Sequence, residues 1–419
     1  MKYFFILGNH PALSLAELLA VLGKDGFITA GNEAAVFELD GGLDAEKLIK
    51  NLGGTIKVGI IGNELEQANS EKILSRLSGI LPREKKEGKF KFGISVYGNL
   101  KLNEKKMGME IKRLLKEKGI SSRWVISKEK QLSSVVVDTN KLVTENGMEV
   151  VIMKMGGKII VGKTLAVQPF RELSFRDYGR PSRDDLSGML PPKLAQIMIN
   201  LAGVGNEDGQ NYKEGDKNKD GYEDGHKEKY GAVILDPFCG SGTILTEAML
   251  MGFNNLIGSD ISEKAIADTK ENVLWMKEKF RLPEPELELY QKSATELSKF
   301  LKPESVSAII TEPYLGPQRG QVDLRKIKKE LEDLYGQALL EFKKVLKKDG
   351  KIVMIWPVFH RGEEWVQLSP KIDGFKIVNP LKGAGNSNGG FKGLTNRGTL
   401  IYGREGQKVW REIVILEAE

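Results

Sequence analysis

The sequence predicts an α/β protein in which a doubly wound, mostly parallel sheet with a C-terminal antiparallel hairpin follows smaller α+β units. From about Gly231 onward, apolar strand segments alternate with long helical segments, which is typical of a Rossmann-like parallel sheet. Earlier in the chain the strands are shorter, and a hairpin turns at Gly156 and Gly157, where paired glycines suit a tight turn. A chain of 419 residues, 40% of them hydrophobic, exceeds one compact core, so we expect two or three domains.

The order of the predicted elements divides the chain into five segments. The first has the strand and helix pattern of a ferredoxin-like α+β unit. The second repeats this pattern with a basic helix, apolar segments at 123–127 and 134–138 that we interpret as strands, and the hairpin. A linker and helix, a polar insertion that we expect to be flexible, and the α/β domain follow. The expected boundaries are 1–80, 81–168, 169–202, 203–229 and 230–419.

The composition argues against several kinds of site and location. Cys239 is the single cysteine and there are three histidines, so neither a disulfide framework nor a zinc cluster is expected. The sequence contains no run of about eighteen apolar residues and no signal-peptide pattern, which predicts a cytoplasmic protein without a membrane span. Residues 216–221 imitate the start of a calcium loop, but Lys227 stands where that loop requires glutamate. We therefore expect no bound metal.

Basic side chains are concentrated in two places before the α/β domain. Residues 83–118 contain twelve Lys and Arg against five Asp and Glu, largely around an amphipathic helix whose outer faces carry the charges. A second cluster, with three arginines in eight residues, lies in the linker. Contact with RNA phosphate and a merely solvated lysine face both remain open for the helix. The candidate RNA-binding residues are Lys105, Lys112, Arg113, Arg176, Arg180 and Arg183.

A glycine-rich turn follows the first strand of the α/β domain. Gly240 and Gly242 stand between an apolar strand and a helix, where glycine lets the backbone approach a ligand at a helix N-terminus. Both a dinucleotide site and an S-adenosylmethionine site have this arrangement. Leu245 occupies the position of the third glycine of the dinucleotide motif. Asp236, at the end of the strand, favours a positively charged amino acid group, which supports S-adenosylmethionine.

The next strands end in further polar residues that should meet at one rim of the sheet. Asp260, twenty-four residues after Asp236, can accept hydrogen bonds from both ribose hydroxyls, and Ser262 already provides a cap for the following helix. The third strand should end over the adenine at Ser293. The predicted cofactor-binding residues are Asp236, Phe238, Gly240, Gly242, Thr243, Asp260, Ile261, Ser293 and Ala294.

The fourth strand ends in T-E-P-Y-L-G-P, residues 311–317. With the glycine-rich turn, this stretch resembles the amino-methyltransferases of nucleobases, whose fourth motif is Asp/Asn-Pro-Pro-Tyr/Phe. R-D-Y-G-R-P-S-R-D and G-M-L-P-P-K-L-A-Q-I-M-I-N-L-A resemble, more narrowly, the THUMP-domain tRNA guanosine-N2 methyltransferases of archaea and eukaryotes. The resemblance implies a ferredoxin-like unit and a THUMP domain, at 81–168, that hold tRNA. It also implies a class I methyltransferase domain that methylates a guanosine between the acceptor and D arms.

The chain departs from that family pattern at two positions. Glu312 replaces the usual aspartate and Tyr314 arrives one position early, while Ser293 stands where the family has an acidic residue. We expect Glu312 and the Pro313 carbonyl to accept hydrogens from the substrate amine, and Tyr314 to stack on a base turned out of its helix. Methylation of another amine, such as adenine N6 in RNA or DNA, remains an alternative. So does an RNA-binding protein that has lost turnover. We expect a monomer.

Overall fold

The computed structural model of the protein is organised by two β-sheets, one of eight strands and one of nine. Among the helices of the described residues, none is long and apolar enough to cross a membrane. Most of the polar insertion, including the calcium-like stretch 216–221, lies outside the described residues. The structure describes residues 1–66, 70–82, 88–183, 189–205, 212, 231–317, 323–361, 364–384 and 390–419.

The N-terminal sheet has the strand order β2-β3-β1-β4-β8-β7-β5-β6. Its strands are β1 Lys2–Leu7, β2 Phe27–Ala30, β3 Ala34–Glu38, β4 Thr55–Leu65, β5 Phe90–Tyr97, β6 Ser122–Val125, β7 Gly147–Met155 and β8 Lys158–Val167. The helices of this region are α1 Pro11–Leu22, α2 Ala45–Lys50, α3 Ser70–Ile80, α4 Glu104–Glu117 and α5 Ser134–Thr139.

The sheet continues across the boundary that we predict near residue 80, because β4 pairs antiparallel with β8. A buried ion pair lies across this junction, with Lys57 Nζ 2.5 Å from Glu149 Oε1. The hydroxyls of Ser95 and Thr164 also donate to the Glu149 carboxylate. These bonds satisfy a charge pair that would otherwise be costly to bury. The ferredoxin-like and THUMP assignments of the two parts stay predictions.

One segment predicted as a strand is a helix. Residues 134–138 contain three consecutive valines, yet they form α5, whose first turn is capped by the Ser133 hydroxyl accepting from Val136 N–H. Val137 is the buried side chain of this helix, so the segment has no second apolar face for a sheet to cover. Local capping therefore overrides the β-propensity of valine.

Two linker helices, α6 Phe170–Tyr178 and α7 Pro192–Ala202, connect the sheets. Helix α7 packs against α1 on one side and the C-terminal domain on the other. The buried Glu17 carboxylate accepts from the N–H groups of Gly53 and Gly54 and from the Asn200 side chain. These bonds attach α7 to the N-terminal region.

The C-terminal sheet has the order β11-β10-β9-β12-β13-β17-β15, with β14 beside β13 and β16 beside β17. Strands β9 to β13 are parallel, and β17 is antiparallel to β13, which confirms the predicted sheet. The strands are β9 Val233–Asp236, β10 Asn255–Asp260, β11 Glu286–Gln291, β12 Val306–Thr311, β13 Leu346–Arg361, β14 Glu364–Gln367, β15 Phe375–Ile377, β16 Leu400–Tyr402 and β17 Val409–Ala418. The helices are α8 Thr243–Leu250, α9 Glu263–Phe280, α10 Leu324–Val345 and a short 3₁₀ helix Ala294–Lys299.

Candidate active site

The predicted rim is present at the carboxyl ends of the parallel strands. Strand β9 lies between β10 and β12, and β11 lies on the far side of β10. Asp236 and Asp260 are the last residues of β9 and β10, Ser293 follows β11, and Glu312 follows β12. Ligands of open α/β sheets bind at this edge. The topology therefore brings all four predicted polar residues to one side of the domain.

The glycine-rich turn between β9 and α8 packs against α9 at one glycine and faces open space at the other. Gly240 and Gly242 have φ values of 50° and 79°, which favour glycine. A Cβ on Gly242 would lie 2.9 Å from the Thr269 side chain, whereas a Cβ on Gly240 would meet no atom within 4 Å. Gly242 therefore allows close contact with α9. Gly240 lies beside open space at the helix N-terminus, where backbone N–H groups can receive a ligand.

Asp236 is a buried carboxylate beneath this turn. Its Oδ1 accepts from the Thr311 hydroxyl at 2.7 Å and from Phe238 N–H at 3.2 Å. Burial is the main reason that the pKa of Asp236 is raised to about 7, and the nearby carboxylates of Asp260 and Glu312 raise it further. The hydrogen-bond donors are neutral while the surrounding charges are negative. This environment favours a cationic ligand.

Asp260 connects the turn to the start of α9. Its Oδ2 accepts from Gly240 N–H at 3.1 Å, and its Oδ1 accepts from Ser262 N–H at 2.9 Å. Ser262 is the N-cap of α9, as predicted, because its hydroxyl accepts from Ala265 N–H. The side chain of Ile261 is 75% exposed and presents an apolar surface beside the Asp260 carboxylate.

Ser293 and Thr243 have structural bonds of their own. The Ser293 hydroxyl caps the 3₁₀ helix by accepting from Thr295 N–H at 3.2 Å, and Ala294 is buried behind it. Thr243 is buried, and its hydroxyl accepts from Arg180 Nη1 at 2.6 Å. The Thr243 side chain is therefore engaged with the linker. Thr243 can therefore contribute to a ligand site only through its backbone, in the first turn of α8.

The stretch after β12 combines a held carboxylate with an exposed ring. Glu312 Oε1 lies 2.5 Å from Arg411 Nε, and the two side chains are 12% and 13% exposed. Pro313 is buried, whereas Tyr314 is 58% exposed. The Tyr314 carbonyl accepts from the hydroxyl of Tyr335 at 2.7 Å. The backbone and the carboxylate are thus fixed, while the Tyr314 ring faces outward at the rim.

Sequence reasoning missed Arg411. This residue is on β17, opposite Pro357 of β13, and 99 residues from Glu312 in the chain. Burial disfavours its charge, but the Glu312 carboxylate more than compensates, so the pKa of Arg411 is raised. No local motif marks Arg411, and the contact depends on β17 completing the sheet.

The predicted RNA-binding arginines of the linker need correction. Arg176 is buried and forms a two-pronged ion pair with Glu247 of α8, at 2.8 and 3.1 Å. Arg180 is buried beside it. Neither guanidinium is available to a phosphate, and both attach the linker to the C-terminal domain. Arg183 lies over the ring of Tyr178, 5.2 Å from its centroid.

The predicted basic residues of α4 do lie on its outer surface. Lys105, Lys112 and Arg113 are exposed. The Arg113 guanidinium pairs with Glu110 and Glu117 within the same helix, which reduces the local positive charge. Their contact with RNA stays a prediction.

The chain is similar to known methyltransferases in sequence. The family described as "UPF0020: RMKL-like, methyltransferase domain" matches residues 227–379. The tRNA (guanine(10)-N2)-dimethyltransferase of Methanocaldococcus jannaschii is 29% identical over 233 residues, which span 54% of this chain and about half (54%) of that relative. A probable tRNA (guanine(10)-N2)-dimethyltransferase of Methanothermococcus thermolithotrophicus is 33% identical over 128 residues, covering 30% of this chain and 70% of that relative.

The fold is similar to that of a solved structure. The crystal structure of TrmN from Thermus thermophilus matches with a TM-score of 0.52 and 17% identity, and the match covers 100% of both chains. At this identity the likeness concerns the fold. With the observed strand order, it confirms the predicted Rossmann-like fold, and the methyltransferase-domain family matches within the same region of the chain.

Proposed function

Because the chain belongs to the family of the tRNA (guanine(10)-N2)-dimethyltransferases, we propose that it methylates the N2 amine of a guanosine in tRNA, with S-adenosylmethionine as methyl donor. The observation that carries this proposal is the arrangement after β12. A held carboxylate and an outward-facing aromatic ring, Glu312 and Tyr314, lie beside the strand that carries Asp236 and the glycine-rich turn.

The charges and donors at the rim fit S-adenosylmethionine. Its sulfonium and ammonium groups are cationic, and the carboxylates of Asp260 and Glu312 act electrostatically on Asp236 there. We assign the amino acid group to Asp236 and the glycine-rich turn. The ribose hydroxyls are assigned to Asp260, whose oxygens retain lone pairs beyond the two backbone bonds. Ile261 is assigned to the adenine face. When bound, S-adenosylmethionine supplies an electrophilic methyl group on a positively charged sulfur.

The residues after β12 position the substrate amine. The lone pair of a guanine amine is delocalised into the ring, so the amine is a weak nucleophile and its alignment matters. Glu312 Oε2 and the Pro313 carbonyl accept its two hydrogens, while Arg411 fixes Glu312 through Oε1. Tyr314 stacks on the guanine base after this base has turned out of the RNA helix. Alignment of this kind lowers the activation free energy by roughly 7–11 kcal/mol in well-oriented intramolecular reactions.

Glu312 also suits the proton that the amine must lose. Once the methyl group is attached, the nitrogen is positively charged and its N–H becomes acidic. A carboxylate that already accepts this hydrogen is placed to remove it or to stabilise its departure. The Arg411 guanidinium holds the Glu312 carboxylate in place for this step.

The remainder of the chain provides the tRNA platform in this proposal. Lys105, Lys112 and Arg113 on α4, together with Arg183 in the linker, contact phosphate, and Arg176 and Arg180 hold the linker to the catalytic domain. Binding of tRNA should therefore weaken with rising salt, by about 0.7–0.9 in log–log slope for each phosphate contact. Action on tRNA also implies the predicted cytoplasmic location.

The test is methyl transfer to tRNA by the full-length protein. We expect incubation with radiolabelled S-adenosylmethionine and bulk tRNA to label the RNA, and mass spectrometry of the digested nucleosides to show N2-methylated guanosine. Label in N6-methyladenosine would instead support methylation of adenine. Binding of tRNA and S-adenosylmethionine without transfer would support an RNA-binding protein that has lost turnover.

A further inference from the structure

The strand next to the catalytic stretch extends well beyond the rim. Thr311, the last residue of β12, is in register with Met354 of β13, so Glu312 is level with Ile355. Strand β13 continues to Arg361, about 20 Å further at roughly 3.3 Å per residue. Strands β14 and β17 pair along its two sides. These three strand ends, residues 356–361, 364–367 and 409–411, form a ribbon that projects from the active-site edge.

Three aromatic side chains cover one face of this ribbon. His360 is directly opposite Trp365, and their ring centroids are 4.8 Å apart. The Trp365 ring meets Trp410 edge to face, with centroids 4.9 Å apart and an interplanar angle of 88°. Trp365 is 49% exposed and His360 is exposed. The contacts hold the Trp365 indole in place, so binding a flat ligand costs little conformational entropy.

The base of this aromatic surface is a close contact. A Cβ on Gly403, the residue after β16, would lie 2.2 Å from the Trp410 indole. Trp410 therefore lies directly on the Gly403 backbone, and it supports Trp365 from below. The Trp365 ring thus packs on Trp410, and Trp410 packs on the Gly403 backbone.

The loop before β17 carries a small excess of positive charge, whereas residues 361–364 of the ribbon contain one arginine and two glutamates. Arg404 and Lys408 are exposed in the loop before β17, against Glu405 in the same loop, and the Lys408 carbonyl accepts from His360 N–H at 3.0 Å. Exposed aromatic rings beside Lys and Arg are the combination by which proteins bind unpaired nucleotides, since each base has a π face and each linkage an anionic phosphate. A purely apolar partner would leave these charges without complement.

We propose that Trp365, supported by Trp410 and His360, is a stacking site for an unpaired base of the RNA substrate, several nucleotides away from the one held at Glu312. The site rests on the proposed function in that its ligand is RNA. Trp365 is at the level of His360, about 17 Å along the strand from the level of Glu312 at roughly 3.3 Å per residue. An RNA strand of several nucleotides, at about 3.4 Å or more per nucleotide, spans this distance.

Binding of short RNAs to the full-length protein tests the stacking site. The probes are a fluorescein-labelled single-stranded RNA decamer and a duplex of ten base pairs. We expect Trp365→Ala to weaken binding of the single strand by about 5- to 150-fold, the range for loss of one base–aromatic stack, and to change duplex binding less than about twofold. Trp365→Phe, which keeps a ring, should stay close to the parent. Leu340→Ala, at a 52% exposed apolar side chain on α10, is the matched surface control.

The outcomes separate this site from the proposed function. Unchanged single-strand binding by Trp365→Ala, or an equal loss for both probes, would overturn the stacking site even if the parent protein methylates tRNA. Conversely, a selective loss of single-strand binding in a protein that transfers no methyl group would support the site and leave the catalytic proposal refuted. Equal melting temperatures of the variants exclude misfolding as the cause.

Discussion

The two sides of the active-site rim are held by different kinds of contact. On the side of β9 and β10, Asp260 bonds to backbone N–H groups of Gly240 and Ser262, 20 and 2 residues away. On the side of β12, Glu312 is held by a side chain 99 residues further along the chain. The Asp260 carboxylate is thus held within one strand–turn–helix unit and its neighbouring strand, and Asp236 adds one bond from Thr311 of β12. The Glu312 carboxylate instead requires the complete sheet.

This difference gives a reason for the glutamate at position 312. The Arg411 guanidinium reaches the carboxylate from β17, across the end of β13. An aspartate would be one methylene shorter and would have to move toward Arg411 to keep the contact. The length of the glutamate side chain is therefore matched to the position of Arg411, and we expect substitutions at the two positions to have coupled effects.

The largest effect should come from removing the charge on the substrate side. We expect Glu312→Gln to slow single-turnover methyl transfer to tRNA by about 10²- to 10³-fold, the range for loss of one electrostatic contact in an active site. Affinity for S-adenosylmethionine should change less than about twofold. Glu312→Asp keeps the charge but not the reach, and should retain part of the rate. Transfer by Glu312→Gln at the parent rate would reduce this residue to a turn-forming role.

On the cofactor side, substitution should weaken cofactor binding rather than slow the transfer step. Asp260→Ala removes charge-assisted hydrogen bonds to the ribose, so we expect S-adenosylmethionine to bind about 10- to 150-fold more weakly, equivalent to ~1.5–3 kcal/mol. Calorimetry of the folded variant measures this, with Glu278→Ala at an exposed position of α9 as control. At saturating cofactor the transfer rate should largely recover. An unchanged dissociation constant would exclude Asp260 as the ribose-binding residue.

The long-range contact itself can be tested at Arg411. Loss of this positioning residue should reduce the transfer rate about tenfold to a hundredfold in Arg411→Met, because Glu312 loses its orientation, with cofactor affinity retained. Arg411→Lys should recover part of the rate. The matched control is Arg397→Met, which breaks the ion pair to the buried Glu412 on the same strand.

The two arginine variants should separate orientation from stability. Both remove one member of a poorly exposed ion pair, so both should lower the melting temperature. Only Arg411→Met should lower the rate per folded molecule. Equal rates per folded molecule in the two variants would show that Arg411 acts only on stability.

The sequence predicted the features that depend on neighbours close in the chain. Asp236, the glycines and Asp260 could be located because strand, turn and helix follow one another and parallel strands end at one edge. Arg411 could not be located, since its partner depends on the register of β17 against β13. Arg176 and Arg180 were misjudged because a cluster of arginines looks the same in sequence whether it meets phosphate or a buried Glu247.

The smallest expected effect is a pH dependence confined to the cofactor side. Burial raises the pKa of Asp236 to about 7, above its ordinary value, so the carboxyl group of the free protein is mostly protonated below about pH 7 and ionised above it. A cationic ligand favours the ionised form. Affinity for S-adenosylmethionine should therefore rise by about tenfold between pH 6 and pH 8, as one proton is released on binding. Asp236→Asn should bind S-adenosylmethionine more weakly and lose most of this rise.

Glu17→Gln is the control for this pH dependence, because burial also raises the pKa of Glu17 to about 7. The bonds of Glu17 are to Gly53, Gly54 and Asn200, away from the rim. Calorimetric titration at several pH values measures all three proteins, and a pH dependence that persists in Asp236→Asn would assign the titration to another group.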